Sequence, residues 1–452
     1  MMKKSSALTV DILCKVVDNF GDIGVVYRLS RALSELDSSL ELRLVVDNLE
    51  AFHLLEPLVN PDLDVQTVRG WTVVRWDKLC PLFATEPPRL VLECFACGRP
   101  DWFEELLFAP ERRDRRLIVD LEYLTAESWA DDFHLIPSIT RSPAVAKTLF
   151  MPGYTPKTGG LILDRNFMEA RARSEAVRAA ARRNFLLAEA GRLMTEVSSV
   201  PAAGTTAAAE ASSVPAAGTT AAAEASSVPE ASSVPEASSV PEASSVPEAA
   251  LSSAFWISVF SYERDYGQIA ADIARFHKER RLEGGVLALV AAGKSSACFI
   301  SAWEKLGRPF PLVRLPFLTQ TDWDRLLLDS DFLIVRGEDS LSRAVLSGLP
   351  FLWQAYPQAE KQQLVKVEAL LERMRHCFNP EDFVLWQAAS IALNDRLSDS
   401  PSTSGREKIL PLLELAADSK AALSPAFSSF SEEVLALGNL ALPLLTLLRD
   451  FV

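Results

Sequence analysis

Two carboxylates stand four residues apart in the segment DNFGDIG, where Asp18 and Asp22 flank Gly21 and a tight turn. The turn lies between a strand-like apolar run, Val10 to Val17, and a helical pattern carrying Val25, Val26, Leu29 and Leu33. In open α/β sheets the loops at the carboxyl ends of strands face the ligand crevice, so both carboxylates are placed for chemistry. They could orient a cationic group or take a proton; alternatively, Asp22 could simply cap the helix that follows. Gly21 and Gly24 do not complete a G-x-G-x-x-G fingerprint, so a nicotinamide or flavin site has little support.

A second junction of the same kind is RGEDSLSRAVLSGLPFLWQAYPQ, residues 336–358, which follows the apolar run Phe332 to Val335 and opens a helical pattern. Free backbone N–H groups gather at such a helix start, Asp339 and Ser340 are suited to capping, and Arg336 adds a fork of donors for phosphate oxygens. A diphosphate fits there, though an ordinary capped helix with an incidental arginine has the same sequence pattern. Just upstream, Asp329-Ser330-Asp331 matches the D-x-D with which many glycosyltransferases hold a cation. It precedes the strand that Arg336 follows, so it should face away from the crevice, and no metal is expected.

These residues must be positioned by alternating elements. Strand-like runs at Val10 to Val17, Leu42 to Val46, Leu90 to Cys94 and Arg116 to Leu121 alternate with helical stretches, and the alternation resumes at Phe255 to Ser261, Val286 to Val290, Leu312 to Leu315, Phe332 to Val335 and Phe351 to Trp353. That is α/β with two Rossmann-like halves, 1–197 and 250–452. Between them, residues 198–249 repeat SSVPAAGTTAAAEA and then SSVPEA without an aromatic residue or an apolar period. Such a tract offers too little apolar area to offset chain entropy and reads as a disordered linker. Met168 to Leu193 reads as a helix whose Arg171, Arg173, Arg178, Arg182 and Arg183, interspersed with glutamates, form a solvated face.

Composition narrows the partners. The 452 residues are 48% hydrophobic, enough for two cores, and carry a net charge of −14. Six glutamates of the repeat tract contribute to that charge without a basic residue beside them, and the rest is a soluble acidic surface, which argues against nucleic acid. Six cysteines in so long a chain read as reduced thiols in a cytoplasmic protein, and Cys94-x-x-Cys97 has no second pair or histidine at metal-ligand spacing. Asp11 and Lys15 interrupt the apolar run that an export signal would need, and Leu435 to Val452 reads as a packed terminal helix with no membrane role. The chain is expected to be a monomer.

The two junctions together, with LEYLTAESW at 121–129, MPGYTPKTGG at 151–160 and FWISVFSYE at 255–263, closely resemble the EarP family of protein-arginine rhamnosyltransferases, which glycosylate translation elongation factor P. The resemblance covers everything except 198–249. It implies the GT-B architecture, TDP-β-L-rhamnose as donor, no cofactor and no metal. It implies a donor site of Phe260, Tyr262, Gln320, Trp323, Arg336, Glu338, Asp339, Ser340 and Tyr356, with Gln320 reading the thymine and Trp323 beside it. Asp18, Asn19, Phe20, Gly21 and Asp22 then receive the acceptor arginine. Asp22 is the expected base, with Asp18 orienting the guanidinium and Glu338 assisting. Trp353 and Phe351 are left to the core.

Overall fold

The computed structural model describes residues 8–17, 20–189, 193–194, 253–280, 283–358, 361–395, 409–418 and 423–452. Asp18, Asn19 and the tract 198–249 lie outside the described residues.

The first sheet contains β1 (Thr9–Cys14), β2 (Glu41–Val46), β3 (Val65–Val68), β4 (Trp71–Arg75), β5 (Leu90–Cys94), β6 (Arg116–Leu121), β7 (Pro137–Ser138) and β8 (Val145–Phe150), in the order β3-β4-β2-β1-β5-β6-β8-β7. Its six inner strands are parallel, and β3 and β7 close the edges antiparallel. The second sheet contains β9 (Leu193–Met194), β10 (Phe255–Val259), β11 (Val286–Val290), β12 (Leu312–Arg314), β13 (Phe332–Arg336) and β14 (Phe351–Gln354), in the order β14-β13-β10-β11-β12-β9. All its pairs are parallel except β12 with β9. The inner strands are apolar runs because helices cover both faces of a parallel sheet; β5, β10 and β11 are buried at every position.

In each sheet the winding reverses beside the first strand of the half, between β1 and β5 in one and between β10 and β13 in the other. At such a reversal the loops on the two neighbouring strands part and leave a crevice. The loop after β1 leads to Asp22, the one after β10 carries Phe260 and Tyr262, and β13 ends on Arg336.

The two halves exchange elements. Strand β9, which precedes the repeat tract, joins the second sheet. The last helix, Ala441–Phe451, returns to the first half, where Leu444, Leu445 and Leu448 share a core with Ile23, Val26 and Leu29 of helix Gly21–Leu36. The segment 168–193 is two helices, Arg165–Arg171 and Glu175–Glu189, followed by a strand, so one long helix is not what forms. Nor is most of its basic face solvated: Arg183 is exposed, but Arg173 meets Asp329 at 2.8 Å, Arg182 meets Asp331 at 2.7 Å, and Arg171 Nε donates to the Leu346 carbonyl. Guanidinium forks that reach the buried Asp329, the half-buried Asp331 and backbone carbonyls dock these helices onto the second half. No helix among the described residues is long and apolar enough to cross a membrane.

Candidate active site between the two sheets

Helix Gly21–Leu36 starts directly on the β1 loop with Phe20 at its N-cap position, and Phe20 makes no side-chain cap. Asp22 therefore sits inside the first turn, and the capping role open to it from sequence is not the one it plays. Its Oδ2 accepts from the Val17 backbone N–H at 2.7 Å, and its Oδ1 accepts from the Tyr123 hydroxyl at 2.9 Å. Both oxygens are thus held in place, and the carboxylate is buried. Tyr123 follows β6 and stacks on Phe95, which follows β5, at 4.4 Å between centroids and 18° between planes. Burial and then the negative charge of Asp22 raise the Tyr123 phenol, so it stays a donor. Asp22, Tyr123 and Phe95 line a narrow crevice with Gly21, Glu122, Glu338 and Asp339.

The facing wall begins where β13 passes into helix Gly337–Ser347 with no loop between them. Gly337 makes this possible because its φ of 66° is left-handed backbone that a side chain would strain. Its carbonyl accepts from Trp353 Nε1 at 2.9 Å, so Trp353 braces the junction from the core side, while Phe351 is buried in that core. Arg336 occupies the N-cap position without a side-chain cap, and neither Asp339 nor Ser340 caps the helix as their residue types suggest. The first-turn N–H groups consequently keep the anion-binding character of an open helix start. The Arg336 guanidinium lies 4.6 Å from the ring centres of both Phe260 and Tyr262, which fix its direction.

In front of this junction is a cavity of about 320 Å³, lined by Phe260, Gln320, Trp323, Arg336, Glu338, Asp339 and Ser340 from one half and by Phe20, Gly21 and Leu55 from the other. Phe317 closes it against Phe20, edge to face at 4.9 Å. Two buried polar atoms there, Gln320 Oε1 and Trp323 Nε1, have no hydrogen-bond partner among the described residues. A buried acceptor and a buried donor left open cost free energy unless a ligand satisfies them, and they offer what the edge of a pyrimidine base requires. Tyr262 and Tyr356 do not line this cavity. Tyr262 packs behind Arg336, and Tyr356, which is 43% exposed, meets the Tyr262 ring edge-on at 5.5 Å. Glu338 lines both spaces and has Lys366 Nζ at 3.5 Å.

A buried ionic seam joins the walls, and the residue types gave no hint of it. Arg28, on the first-half helix and fully buried, donates through Nη1 and Nη2 to both oxygens of Asp324 at 2.6 and 2.7 Å and through Nε to Asp339 Oδ1 at 2.7 Å. Asp164 lies 3.6 Å away and pairs with Arg31. Burial disfavours the Arg28 charge, but Asp324 and Asp339 hold it well above its ordinary range; for Asp324 burial prevails and pushes the carboxyl up. Arg343, also buried and pushed down to about 10 by burial and by Arg28, donates to the Ile162 carbonyl at 2.6 Å. Gln320 Nε2 donates to the Gly24 carbonyl at 2.8 Å, and a Cβ on Gly24 would stand 3.0 Å from that nitrogen. Asp339 accordingly belongs to the seam as much as to the cavity. The partners are some 300 positions apart in the chain, so no local pattern announces them, whereas Tyr123 lies in a segment with a signal of its own, directly after an apolar strand.

The sequence profile of the family described as elongation factor P (EF-P) rhamnosyltransferase EarP matches residues 10–202 and 226–449. The chain belongs to the EarP family. It is 29% identical over 410 residues to the protein-arginine rhamnosyltransferase of Shewanella oneidensis, covering 87% of this chain and 88% of that one. To the Pseudomonas aeruginosa enzyme of the same name it is 31% identical over 363 residues, 80% of each chain. Among solved structures, one from work on EarP-mediated arginine glycosylation of elongation factor P aligns over 98% of this chain and 99% of that one, with a TM-score of 0.54 and 22% identity. The fold expected from sequence, GT-B with two facing Rossmann-like domains, is the one observed.

The DSD segment lies at the amino end of β13, opposite Arg336. Asp329 and Asp331 meet Arg173 and Arg182 there, and Asp331 accepts from the Trp256 N–H at 2.8 Å. Cys94 and Cys97 sit in the first half with their thiols raised by burial, free and unpaired with any disulfide.

Proposed function

We propose that the chain is an inverting glycosyltransferase that moves L-rhamnose from TDP-β-L-rhamnose to an arginine side chain of elongation factor P, a modification that supports translation of polyproline stretches. The observation that carries this reading is the pairing, across one cleft, of a fixed carboxylate with an open helix start and an aromatic-flanked arginine. A guanidinium is a poor nucleophile because its lone pairs are delocalised and it is protonated at ordinary pH. Asp22, already aimed by Val17 and Tyr123, orients it by charge-assisted hydrogen bonds and accepts one proton as a nitrogen attacks the anomeric carbon. Asp18 is assigned to the same task from sequence.

The C–N bond forms as the bond from the anomeric carbon to the phosphate oxygen breaks, and a single displacement inverts the centre. Arg336 and the N–H groups at Gly337–Ser347 receive the negative charge that develops on TDP. Gln320 Oε1 accepts from the imide N–H of thymine, Trp323 Nε1 donates to the base, and the Phe20, Phe260 and Phe317 rings enclose it. Tyr262 acts through Arg336, Glu338 and Ser340 face the sugar and diphosphate, and Tyr356 borders the site. The protein is proposed to act as a cytoplasmic monomer.

Incubation of the purified protein with TDP-β-L-rhamnose and elongation factor P, read by intact-protein mass, should add one deoxyhexose to the acceptor. Absence of that shift, or the same transfer to a saccharide or lipid acceptor in its place, overturns the reading. With Arg336 and the helix start covering the diphosphate, transfer should continue in excess chelator. Loss that magnesium or manganese restores would return the role to Asp329 and Asp331.

A further inference from the structure

Away from the cleft, three side chains of different metal-binding types meet. The 3-10 turn Arg375–Cys377 sets His376 and Cys377 beside Glu433 of helix Leu423–Ala436. His376 Nε2 is 3.1 Å from Glu433 Oε1 and 2.8 Å from its Oε2, Cys377 Sγ is 3.4 Å from His376 Nε2, and Sγ is 3.5 Å from Oε1. Around a tetrahedral Zn²⁺, with bonds of about 2.3 Å to sulfur and about 2.0–2.1 Å to nitrogen and oxygen, the S···N and S···O edges come to about 3.5 Å and the N···O edge to about 3.3 Å. The observed triangle is close to that face. A histidine–glutamate pair accounts for one edge of it and does not require a thiol at ligand spacing from both partners.

The three donors are held by packing on either side. Phe378, next in sequence to Cys377, stacks on Trp386 at 4.8 Å and 5° and meets Phe427 edge-on at 5.2 Å, while Phe430 and Val434, around Glu433, are buried. An ion would therefore find donors that need little further ordering. His376 and Glu433 are exposed, which leaves a path from solvent and a fourth position for water.

We propose that His376, Cys377 and Glu433 form a binding site for Zn²⁺ or a similar borderline-soft divalent ion. Nitrogen, sulfur and a single carboxylate select against magnesium and calcium, which take oxygen ligands. None of the three residues lines the cleft, so the ion is structural: it ties the end of helix Gln362–Met374 to helix Leu423–Ala436. That helix packs in turn on Gly337–Ser347, through contacts such as the Ser431 hydroxyl donating to Leu346 O at 3.0 Å.

The full chain, stripped with chelator and desalted, would be titrated with Zn²⁺ by calorimetry and with Co²⁺ by absorption. The expected result is one strong site per chain, a thiolate-to-cobalt charge-transfer band, and a higher Tm with Zn²⁺. Cys377→Ser should abolish the band, and Glu433→Gln should weaken Zn²⁺ binding roughly tenfold or more, with the circular dichroism of both variants unchanged. His376→Ala provides a third variant should either fold poorly. Absence of the charge-transfer band, or Zn²⁺ affinity that is the same in Cys377→Ser as in the parent, overturns the proposal. Rhamnose transfer by the stripped protein is a separate readout, so this site and the proposed activity can fail independently.

Discussion

The two walls of the cleft are built on the same strand-to-helix junction and prepared in opposite ways. On the first-half wall Asp22, the proposed base, is already satisfied: its oxygens accept from the Val17 N–H and the Tyr123 hydroxyl. On the second-half wall the cavity presents Gln320 Oε1 and Trp323 Nε1, which have no partners among the described residues, beside an uncapped helix start. A carboxylate that must hold a cation and take a proton benefits from being fixed beforehand, because orientation is then not lost at the moment of reaction. A wall proposed to recognise a base and a diphosphate benefits from atoms left open, because the correct ligand removes a penalty that a wrong one leaves in place. Between them the Arg28 seam holds the walls at working distance.

The largest effect should come from breaking that seam. Arg28→Met leaves Asp324 and Asp164 buried with much of their compensating charge gone, and a stability loss of about 3–5 kcal/mol is expected in denaturant titration. A loss below about 1 kcal/mol would show that the walls are held by apolar packing alone. Next in size is Asp22→Asn, which keeps shape but not basicity. Turnover should fall roughly 10²-fold or more while calorimetric affinity for TDP-rhamnose stays within a few-fold. Turnover near the parent rate would move the base to Asp18 or Glu338.

Arg336→Ala tests the opposite wall and should reverse the pattern. Donor affinity is expected to drop roughly ten- to hundredfold, the range for hydrogen bonds to a charged group. Unchanged affinity would mean that the helix start alone carries the diphosphate. Asp339→Ala is a less clean probe, since it also removes a partner of Arg28. The smallest effect belongs to Tyr123→Phe, which keeps the ring on Phe95 and deletes only the hydroxyl on Asp22. We expect kcat to fall roughly three- to tenfold with the KM for donor and the Tm unchanged. A matching drop in Tm with kcat intact would reduce Tyr123 to a packing residue.

What could be read from the chain follows from how local each signal is. The runs Leu90–Cys94, Arg116–Leu121 and Val286–Val290 were legible to the residue because strands covered on both faces are buried at every position and therefore mostly apolar. Val145–Phe150, with three of its six residues half-buried and one exposed, and the edge strands Val65–Val68 and Pro137–Ser138 lack that run and gave no such signal. The strand-to-helix junction at Arg336 was legible too, as a change of period at a glycine. Which residues cap it was not, because Asp339 is drawn away by an arginine from the other half.

By itself the sequence determined the family, the two-sheet α/β architecture and the placing of Asp22 and Arg336 at carboxyl ends of strands. These rest on short-range patterns that a single segment contains. The tertiary structure alone decided that Tyr123 aims Asp22, that Arg28 joins three carboxylates, that Arg173 and Arg182 neutralise the DSD segment, and that the last helix returns to the first half. Each of these depends on side chains brought together from distant positions, where charge complementarity and burial act only once the sheets have formed.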